Sequence, residues 1–298
     1  MVKFAGRQRE RNEILATILD GKALAAHLRT QIKEDTVALP RRPGLAVILV
    51  GEDPASQLYV RNKTKDCEEC GYLSRRFDLP ADTSEEILLG IINKLNRDNK
   101  IDGILVQLPL PPQINEKSII EAIAPEKDVD AFHPVNVGRM VRGDALVWPC
   151  TPSGIQEMLD AYSISEDGKI CVVVGRSNIV GKPMGLLLLR GHGTVIYCHR
   201  HTPDLAAMTR QADILVVAAG CRGLIRGDMV KEGAVVIDVA MNRDPETGKF
   251  SGDVLFEEVE PKASFITPVP GGVGPMTRAM LMKNVLLLAK IHMGLGDS

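Results

Sequence analysis

The first half of the chain alternates short apolar runs with segments of helical pattern. In order, the pattern predicts a strand at Gly44–Val50, a helix at Ala55–Cys70 stopped by Gly71, a strand at Arg75–Leu79, a helix from Thr83 towards Asn96, and a strand at Asp102–Leu108. Gly44–Val50 is almost wholly apolar, as a strand buried on both faces of a parallel sheet would be. This order predicts a mainly parallel sheet with functional groups at the carboxyl ends of its strands.

The pattern restarts near residue 150. Pro149-Cys150-Thr151-Pro152 predicts a linker and then a helix, with Thr151 as N-cap and Pro152 at the first helical position. Further strands are predicted at Lys169–Val174, Thr194–Cys198, Asp213–Ala218, Ala234–Val239 and Ser264–Thr267. Pro275 is expected to start a closing helix at Met276. The sequence therefore predicts a two-domain α/β protein, with residues 1–149 plus the closing helix 276–298 in one domain and residues 150–275 in the other.

Composition and charge exclude several classes of protein. The formal net charge of −2 leaves no basic footprint for nucleic acid or an anionic membrane. No apolar run reaches the roughly 18 residues that suggest a membrane span. Arg7–Glu13 is charged where a secretory signal would be apolar, and although its arginines hint at an organelle transit peptide, its glutamates argue against one. We therefore expect a cytoplasmic protein, with a mitochondrial location as the alternative.

The cysteines suggest either a metal or redox site or buried apolar residues. Cys67 and Cys70 form a C-x-x-C pair, which is one half of a typical zinc or redox motif. The sequence supplies no second pair at ligand spacing and no histidine cluster nearby. Both cysteines also lie on the predicted helix that carries Tyr59. We expect buried thiols in a reducing compartment and no bound metal.

Gly175–Pro183 has the pattern of a dinucleotide-binding turn. A buried strand leads into Gly175-Arg176-Ser177, and a helix is predicted from Gly181, whose free backbone N–H groups would receive a pyrophosphate. An NAD-binding unit usually has an acidic residue about 20 residues further on, but this chain has Arg200 there. Arg176 and Arg200 therefore favour the 2′-phosphate of NADP. The alternatives are an ordinary glycine turn and a solvated arginine at a strand end.

Three further patches are expected to line a cleft between the domains. Tyr59 and Lys63 are one helical turn apart, so a phenol ring and an amine should project from one helix face. Gln107 ends an apolar strand. Thr267–Pro275 is rich in glycine and proline, and its glycines let backbone approach a flat ligand closely. A helix face, a strand stop and a tight turn are the corresponding structural alternatives. The acidic cluster Lys127–Asp130 is by itself most simply a solvated segment.

Taken together, these segments resemble the bifunctional methylenetetrahydrofolate dehydrogenase/cyclohydrolase family. The motifs are Gln57-Leu58-Tyr59-x-x-x-Lys63, Val106-Gln107-Leu108-Pro109, Pro125-Glu126-Lys127-Asp128-Val129-Asp130, Gly175-Arg176-Ser177-x-x-Val180-Gly181-x-Pro183 and Pro268-Val269-Pro270-Gly271-Gly272-Val273-Gly274-Pro275-Met276-Thr277. They occur in order and extend the resemblance from about Leu19 to Leu288. The family has a catalytic α/β domain and a Rossmann-like NADP-binding domain.

The resemblance implies two reactions on tetrahydrofolate derivatives: oxidation of the 5,10-methylene form by NADP and hydrolysis of the 5,10-methenyl product to 10-formyltetrahydrofolate. Lys63 would be the key catalytic residue, tuned by Gln107, with Tyr59 against the folate ring and Asp130 bonded to the pterin. The residues implied at the folate site are Tyr59, Lys63, Val106, Gln107, Leu108, Asp130, Pro270, Gly271, Gly272, Val273 and Gly274. Those implied at the NADP site are Gly175, Arg176, Ser177, Arg200 and Met241. The resemblance also implies a homodimer.

Two positions depart from the family's pattern, and other functions compete with this one. Ala131 stands where the family often has glycine, and Ala240-Met241 replaces a commoner Gly-Ile pair. A monofunctional dehydrogenase and a nucleotide-sensing protein without activity are alternatives. Tyr-x-x-x-Lys is also typical of short-chain dehydrogenases, but their cofactor loop precedes that pair, and in this chain it follows much later.

Overall fold

The computed structural model describes residues 15–243 and 248–295, so the charged segment Arg7–Glu13 lies outside the described residues. The chain divides into two compact units. The three-strand unit comprises residues 26–150 and 278–295, and the six-strand unit comprises residues 15–25, 151–243 and 248–277. One boundary follows the first residue of α6 (Cys150–Ala161). The other two fall inside α1 (Gly21–Val37) and α10 (Val273–His292), where a sequence pattern gives no sign of a break.

The three-strand unit is a parallel sheet built around one wholly buried strand. Its strands are β2 (Gly44–Val50), β3 (Leu73–Leu79) and β4 (Gly103–Val106), in the order β3-β2-β4. Every residue of β2 is buried, as expected for the central strand of a covered parallel sheet. The register pairs Val50 with Leu79 and Ile48 with Val106, so the three carboxyl ends reach one edge of the sheet.

Local sequence explains where the helices of this unit begin. They are α2 (Pro54–Glu69), α3 (Glu85–Asn96), α4 (Glu116–Ala122) and α5 (Pro134–Arg142), together with the larger parts of α1 and α10. Asp53 caps α2 by accepting a 2.7 Å hydrogen bond from the Ser56 amide, and Pro54 fits the first helical position. Gly71, with φ +78°, follows the end of α2.

An apolar core fixes the sheet of the three-strand unit. Ile48 of β2 and Ile104 of β4 pack in one buried cluster with Leu88, Ile92 and Ile119 from α3 and α4. Each such side chain contributes about 1.5–3 kcal/mol on burial. Hydrophobic packing therefore accounts for the fold, and the polar groups at the carboxyl edge are available for chemistry.

The six-strand unit is a parallel sheet with a change of winding direction in its middle. Its strands are β1 (Thr17–Ile18), β5 (Ile170–Val174), β6 (Thr194–Cys198), β7 (Ile214–Val217), β8 (Val235–Asp238) and β11 (Phe265–Ile266), in the order β1-β11-β8-β7-β5-β6. The chain moves from β5 outward to β6 and then returns to the other side of β5 as β7. In open α/β sheets, ligands bind at the carboxyl ends of the strands at such a switch point.

Short helices and one small ladder complete the six-strand unit. These are α6 (Cys150–Ala161), α7 (Gly181–Arg190), α8 (Leu205–Thr209) and α9 (Phe256–Val259), and the antiparallel pair β9 (Asn242–Arg243) and β10 (Phe250–Ser251). Among the described residues, no helix combines the length and apolar character needed to cross a bilayer.

The structure differs from the sequence prediction at two helix starts and one strand. Helix α6 already includes Cys150, so Thr151 is not its N-cap, and the Thr151 hydroxyl lies 3.0 Å from that of Thr277. Helix α10 begins at Val273 instead of Met276, because Pro275 is tolerated in a first turn whose N–H groups lack helical partners. The two-residue strand β1 was not predicted and is too short to give a period-2 pattern.

Candidate active site

Lys63 reaches from α2 to the carboxyl end of β4. Its Nζ lies 3.0 Å from Oε1 of Gln107, and the side chain is half-buried. Burial lowers the pKa of the Lys63 amine below its ordinary 10.5, and the nearby carboxyl of Asp130 opposes that shift. The neutral amine therefore becomes accessible nearer to neutral pH, which is the property that a general base requires.

Gln107 presents a fixed oxygen to the Lys63 amine. Its backbone N–H donates to the Ile48 carbonyl at 2.8 Å, which extends the β4–β2 ladder by one residue. Its side-chain Nε2 donates to the Leu108 carbonyl at 2.7 Å, so the amide oxygen faces Lys63. Gln107 accepts one N–H from the amine and offers it no donor, so the lone pair of a neutral Lys63 stays available for a proton.

Asp130 is a weaker acid than an exposed aspartate. Burial raises the pKa of Asp130 to about 6, the charge of Asp128 adds to the increase, and the Lys63 cation opposes it. Asp128 itself is tied down, because it accepts hydrogen bonds from the His133 amide at 2.8 Å and from Asn136 Nδ2 at 3.0 Å. The next residue, Ala131, is held at φ +58°, in the left-handed region that glycine favours.

Two neighbours of Lys63 and Asp130 were not identified from the sequence. Arg278 forms a two-point ion pair with Asp66, at 2.7 and 2.6 Å, and its charge further lowers the pKa of Lys63. The Cys150 Sγ lies 4.0 Å from Asp130 Oδ1, and burial raises the thiol pKa well above its ordinary value, so it stays neutral. Their only signals were positional, since Cys150 was interpreted as part of a linker and Arg278 follows the Pro268–Pro275 segment.

The C-x-x-C pair at the end of α2 has no sign of reactivity. Cys67 and Cys70 are both free and buried, and burial raises the pKa of each thiol to about 12. A thiol that remains protonated is a poor nucleophile and a poor metal ligand. The apolar interpretation of the pair is thus the one that its environment favours.

The other residues predicted for the folate site in this unit are more open. Tyr59 lies one turn before Lys63 with 41% of its surface exposed, so its ring is available to a ligand. Val106 and Leu108 line a pocket of about 20 Å³ together with Ile104, Ile119, Ile120, Ile123, Asp128, Asp130 and Phe132. That volume accommodates about one water molecule, so a bicyclic ring has to lie outside it, over the exposed edge.

The predicted folate loop Pro270–Gly274 belongs to the six-strand unit. Its backbone explains two of its glycines: Gly271 has φ +112°, and a Cβ on Gly272 would lie 2.7 Å from the Pro268 carbonyl oxygen. Gly274 is exposed, and a Cβ there would meet no described atom within 4 Å. Val273 is buried, so its side chain is not available to a ligand.

The loop after β5 has the expected glycine but not the expected free helix terminus. Gly175 has φ +140°, and a Cβ would lie 2.4 Å from the Ala218 carbonyl oxygen. The N–H groups of Gly181 and Lys182 are bonded to Ser177 Oγ at 3.3 Å and Ser177 O at 3.0 Å. The expectation of free amides at the start of α7 is therefore wrong for these two groups. To bind at this helix terminus, a phosphate has to replace Ser177 Oγ as the acceptor of the Gly181 N–H. Otherwise it has to bind the exposed loop that precedes α7.

Arg176 and Arg200 leave the sheet at the same edge. Val174 of β5 pairs with Cys198 of β6, and each arginine lies two residues beyond its member of that pair. Both side chains are exposed, and the Arg200 Nε lies 3.2 Å from His201 Nε2. Met241 follows β8 at the same end of the sheet and is 46% exposed. The predicted cofactor residues thus share the carboxyl edge of one sheet, as a dinucleotide site requires.

Comparison with known proteins identifies both units of this arrangement. Residues 19–130 match the family model "Tetrahydrofolate dehydrogenase/cyclohydrolase, catalytic domain", and residues 149–293 match the NAD(P)-binding domain of the same family. A bifunctional protein FolD from Moorella thermoacetica is 58% identical over 278 residues, which are 92% of this chain and 99% of that protein.

Solved structures give the same answer. The bifunctional FolD dehydrogenase/cyclohydrolase from Campylobacter jejuni superposes with a TM-score of 0.91 at 52% identity, covering 93% of this chain and 99% of that one. The Trypanosoma brucei dehydrogenase-cyclohydrolase, complexed with NADP and an inhibitor, has a TM-score of 0.89 at 40% identity and covers 93% and 98% of the two chains. The predicted family and its two-domain α/β fold class are confirmed.

Proposed function

Because the chain belongs to the tetrahydrofolate dehydrogenase/cyclohydrolase family, we propose that it catalyses two consecutive reactions of folate one-carbon metabolism. It oxidises 5,10-methylenetetrahydrofolate to the 5,10-methenyl cation with NADP, and it hydrolyses that cation to 10-formyltetrahydrofolate. The observation that carries the proposal is the 3.0 Å contact between Lys63 and Gln107, which holds an amine of lowered pKa at the carboxyl edge of the sheet.

The hydrolysis needs a proton acceptor, and Lys63 has the required properties. Water adds to the methenyl carbon of the substrate and releases one proton. The adduct then loses its hydroxyl proton to form the formyl C=O, N5 takes up a proton, and the bond from that carbon to N5 breaks. A cationic substrate beside Lys63 further disfavours the ammonium form, which leaves the neutral amine to take the proton. The carbonyl of Gln107 keeps the amine in place, and Asp130 bonds the pterin ring that lies against Tyr59.

The six-strand unit is suited to hold NADP at its carboxyl edge. Gly175 lets the turn after β5 pack closely against the loop after β7, because a Cβ at this position would lie 2.4 Å from the Ala218 carbonyl oxygen. Arg176, Ser177 and Arg200 would hold the phosphates, with the backbone near Met241 beside the nicotinamide. NADP supplies the hydride acceptor, so the dehydrogenase step asks the protein only to bind and align the two reacting carbons.

The assembly that we propose follows from the family resemblance, and the location follows from the composition and charge of the chain. We propose a homodimer acting on tetrahydrofolate derivatives in the cytoplasm. Light scattering on the purified protein measures the dimer directly. A monomer with full activity would remove the dimer from the proposal and leave the chemistry intact.

An absorbance assay tests the two activities separately. With 5,10-methylenetetrahydrofolate we expect NADP to be reduced faster than NAD, and we expect added methenyltetrahydrofolate to lose its absorbance as it is hydrolysed. Accumulation of the methenyl product beyond its spontaneous hydrolysis would identify a monofunctional dehydrogenase. If neither cofactor is reduced, the chain is not a dehydrogenase and the proposal fails.

A further inference from the structure

Two buried carboxylates of the six-strand unit have no part in the mechanism above. Asp238 ends β8 and is 3% exposed, and Asp253 follows β10 and is 0% exposed. Fully buried aspartates are rare, because removing a carboxylate from water is costly unless hydrogen bonds replace the lost hydration. The bonds that replace it here come almost entirely from backbone N–H groups of separate loops.

Asp253 holds the loop that follows β7. Its Oδ2 accepts hydrogen bonds from the backbone N–H groups of Ala219 and Gly220, both at 2.8 Å. Its Oδ1 accepts a hydrogen bond from the side chain of Asn242 at 2.9 Å. One carboxylate thus connects the turn after β7 to the first residue of β9, which comes directly after Met241.

Asp238 connects that same region to the segment that carries Asp253. Its Oδ1 accepts from Ala240 N at 3.2 Å and Asp253 N at 3.0 Å, and its Oδ2 accepts from Val254 N at 2.9 Å. A Cβ on Gly252 would lie 1.7 Å from Asp238 Oδ2, so glycine is required for this approach. The backbone of Asp238 is itself fixed, since its N–H donates to Thr267 Oγ1 at 2.7 Å.

The loops held in this way lie at the carboxyl edge of the sheet, where we propose that NADP binds. Residues 218–220 and 239–241 follow the carboxyl ends of β7 and β8, and β7 borders the switch point of the sheet. Met241 is half exposed and adjoins Ala240 and Asn242, the two residues that the carboxylates hold. A hydride acceptor has to be fixed to within a fraction of an ångström, and a misplacement of about 1 Å can cost about 100-fold in rate.

We propose that Asp238 and Asp253 are positioning residues of the dehydrogenase reaction, which hold the backbone on either side of Met241 in the geometry that the nicotinamide needs. This inference rests on the proposed function. Hydrolysis of the methenyl cation uses Lys63 in the other unit and needs no cofactor, so the two activities should respond differently when the carboxylates are altered.

The experiment compares both activities in the full-length protein. In Asp253→Ala we expect the dehydrogenase kcat/KM for NADP to fall by about tenfold or more, while the cyclohydrolase rate is unchanged. Asp253→Asn should recover most of the loss, because its amide oxygen still accepts from Ala219 and Gly220 and Asn242 can turn its own oxygen towards the new NH₂. Fluorescence titration with NADPH then shows whether binding or the chemical step has suffered.

The matched control is Asp213→Asn. Asp213 also accepts a backbone hydrogen bond, from Ile170 N at 2.9 Å, but at the amino end of the same sheet. This variant should leave the ratio of the two activities at the wild-type value. If Asp253→Ala does not fold, Asp238→Asn provides the test, since it loses one acceptor opposite Val254 N and keeps the side-chain volume.

The outcomes distinguish this inference from the proposed function. If the wild-type enzyme shows no NADP-dependent oxidation, the proposed function fails. If the wild type is active and folded Asp253→Ala or Asp238→Asn keeps the wild-type ratio of the two activities, the carboxylates are structural only and the inference is overturned. An equal fall of both activities would also overturn it, because that is the effect of general destabilisation.

Discussion

The two units differ in how far their candidate functional groups are exposed to water. In the three-strand unit, Lys63 and Asp130 are withdrawn from water, and burial shifts the pKa of each towards the neutral form. In the six-strand unit, Arg176 and Arg200 stay exposed at the edge of the sheet, and buried carboxylates such as Asp253 bond to backbone instead.

The difference follows from what each site has to do. A group that transfers protons must change its charge during the reaction, and partial burial is the simplest way to make both forms accessible. A group that holds a phosphate has to stay charged, and arginine does so at any pH that proteins tolerate. The contrast therefore favours proton transfer in the three-strand unit and phosphate binding in the six-strand unit.

The largest effect should come from replacing Lys63, which should remove the proton acceptor of the three-strand unit and leave cofactor binding in the six-strand unit intact. In Lys63→Met we expect the cyclohydrolase rate to fall by about 100- to 10,000-fold, the usual contribution of a general base, while NADPH binding persists. In the wild type the cyclohydrolase rate should rise with pH along a limb centred below 10.5, because the reactive amine is the neutral form. Both quantities are measured by the disappearance of methenyltetrahydrofolate absorbance.

Lys65→Met is the matched control for this variant. Lys65 is an exposed lysine of the same helix, two residues further on and therefore on another face. It should have the wild-type rate. A normal cyclohydrolase rate in Lys63→Met would remove Lys63 from the mechanism.

Burial of the Asp130 carboxyl should lower the stability of the folded protein at neutral and alkaline pH. Its folded-state pKa of about 6 lies above the ordinary 3.8, so between these values the folded protein holds a proton that the unfolded chain has released. The contribution of Asp130 to stability is then greatest below pH 3.8 and is lost as the pH rises from there through about 6. We expect Asp130→Asn to raise the free energy of unfolding by about 1–3 kcal/mol at about pH 8 and to leave it unchanged at about pH 3.

Urea denaturation of wild type and variant at both pH values measures this effect. Asp238 has a similarly raised pKa and contributes to the pH dependence of both proteins. The difference in the free energy of unfolding between wild type and variant therefore isolates the contribution of Asp130. Asp82→Asn, which alters an exposed carboxyl of the same unit, is the control. An equal gain at both pH values would show that packing and not charge is responsible.

These contrasts also show how far the sequence alone could lead. The strand pattern and the glycine turn at Gly175 were predictable, because an apolar run and a residue free of Cβ leave direct marks in the sequence. The contact between Lys63 and Gln107 could only be inferred from the family resemblance, since it joins residues 44 positions apart. Buried carboxylates such as Asp238 and Asp253 leave no mark, because their partners are backbone N–H groups of any residue type.

Arg200 should affect cofactor choice and leave the chemistry intact. A hydrogen bond to a charged group is worth about 1.5–3 kcal/mol, so in Arg200→Ala we expect the preference for NADP over NAD to fall by about tenfold or more. Steady-state kcat/KM values for the two cofactors measure it. Arg190→Ala, an exposed arginine at the end of α7, should keep the wild-type preference. An unchanged ratio in Arg200→Ala would place the 2′-phosphate elsewhere.

Ala131 should give the smallest effect and the sharpest test of backbone geometry beside Asp130. At φ +58° an alanine is strained and a glycine is not, so we expect Ala131→Gly to stabilise the protein by about 0.5–1 kcal/mol in denaturant titrations. Ala124→Gly, at an ordinary φ of −59°, provides a control of opposite sign, because there glycine only increases the entropy of the unfolded chain. If both variants are destabilised equally, the turn after Asp130 carries no strain, and alanine at position 131 does not lower the free energy of unfolding.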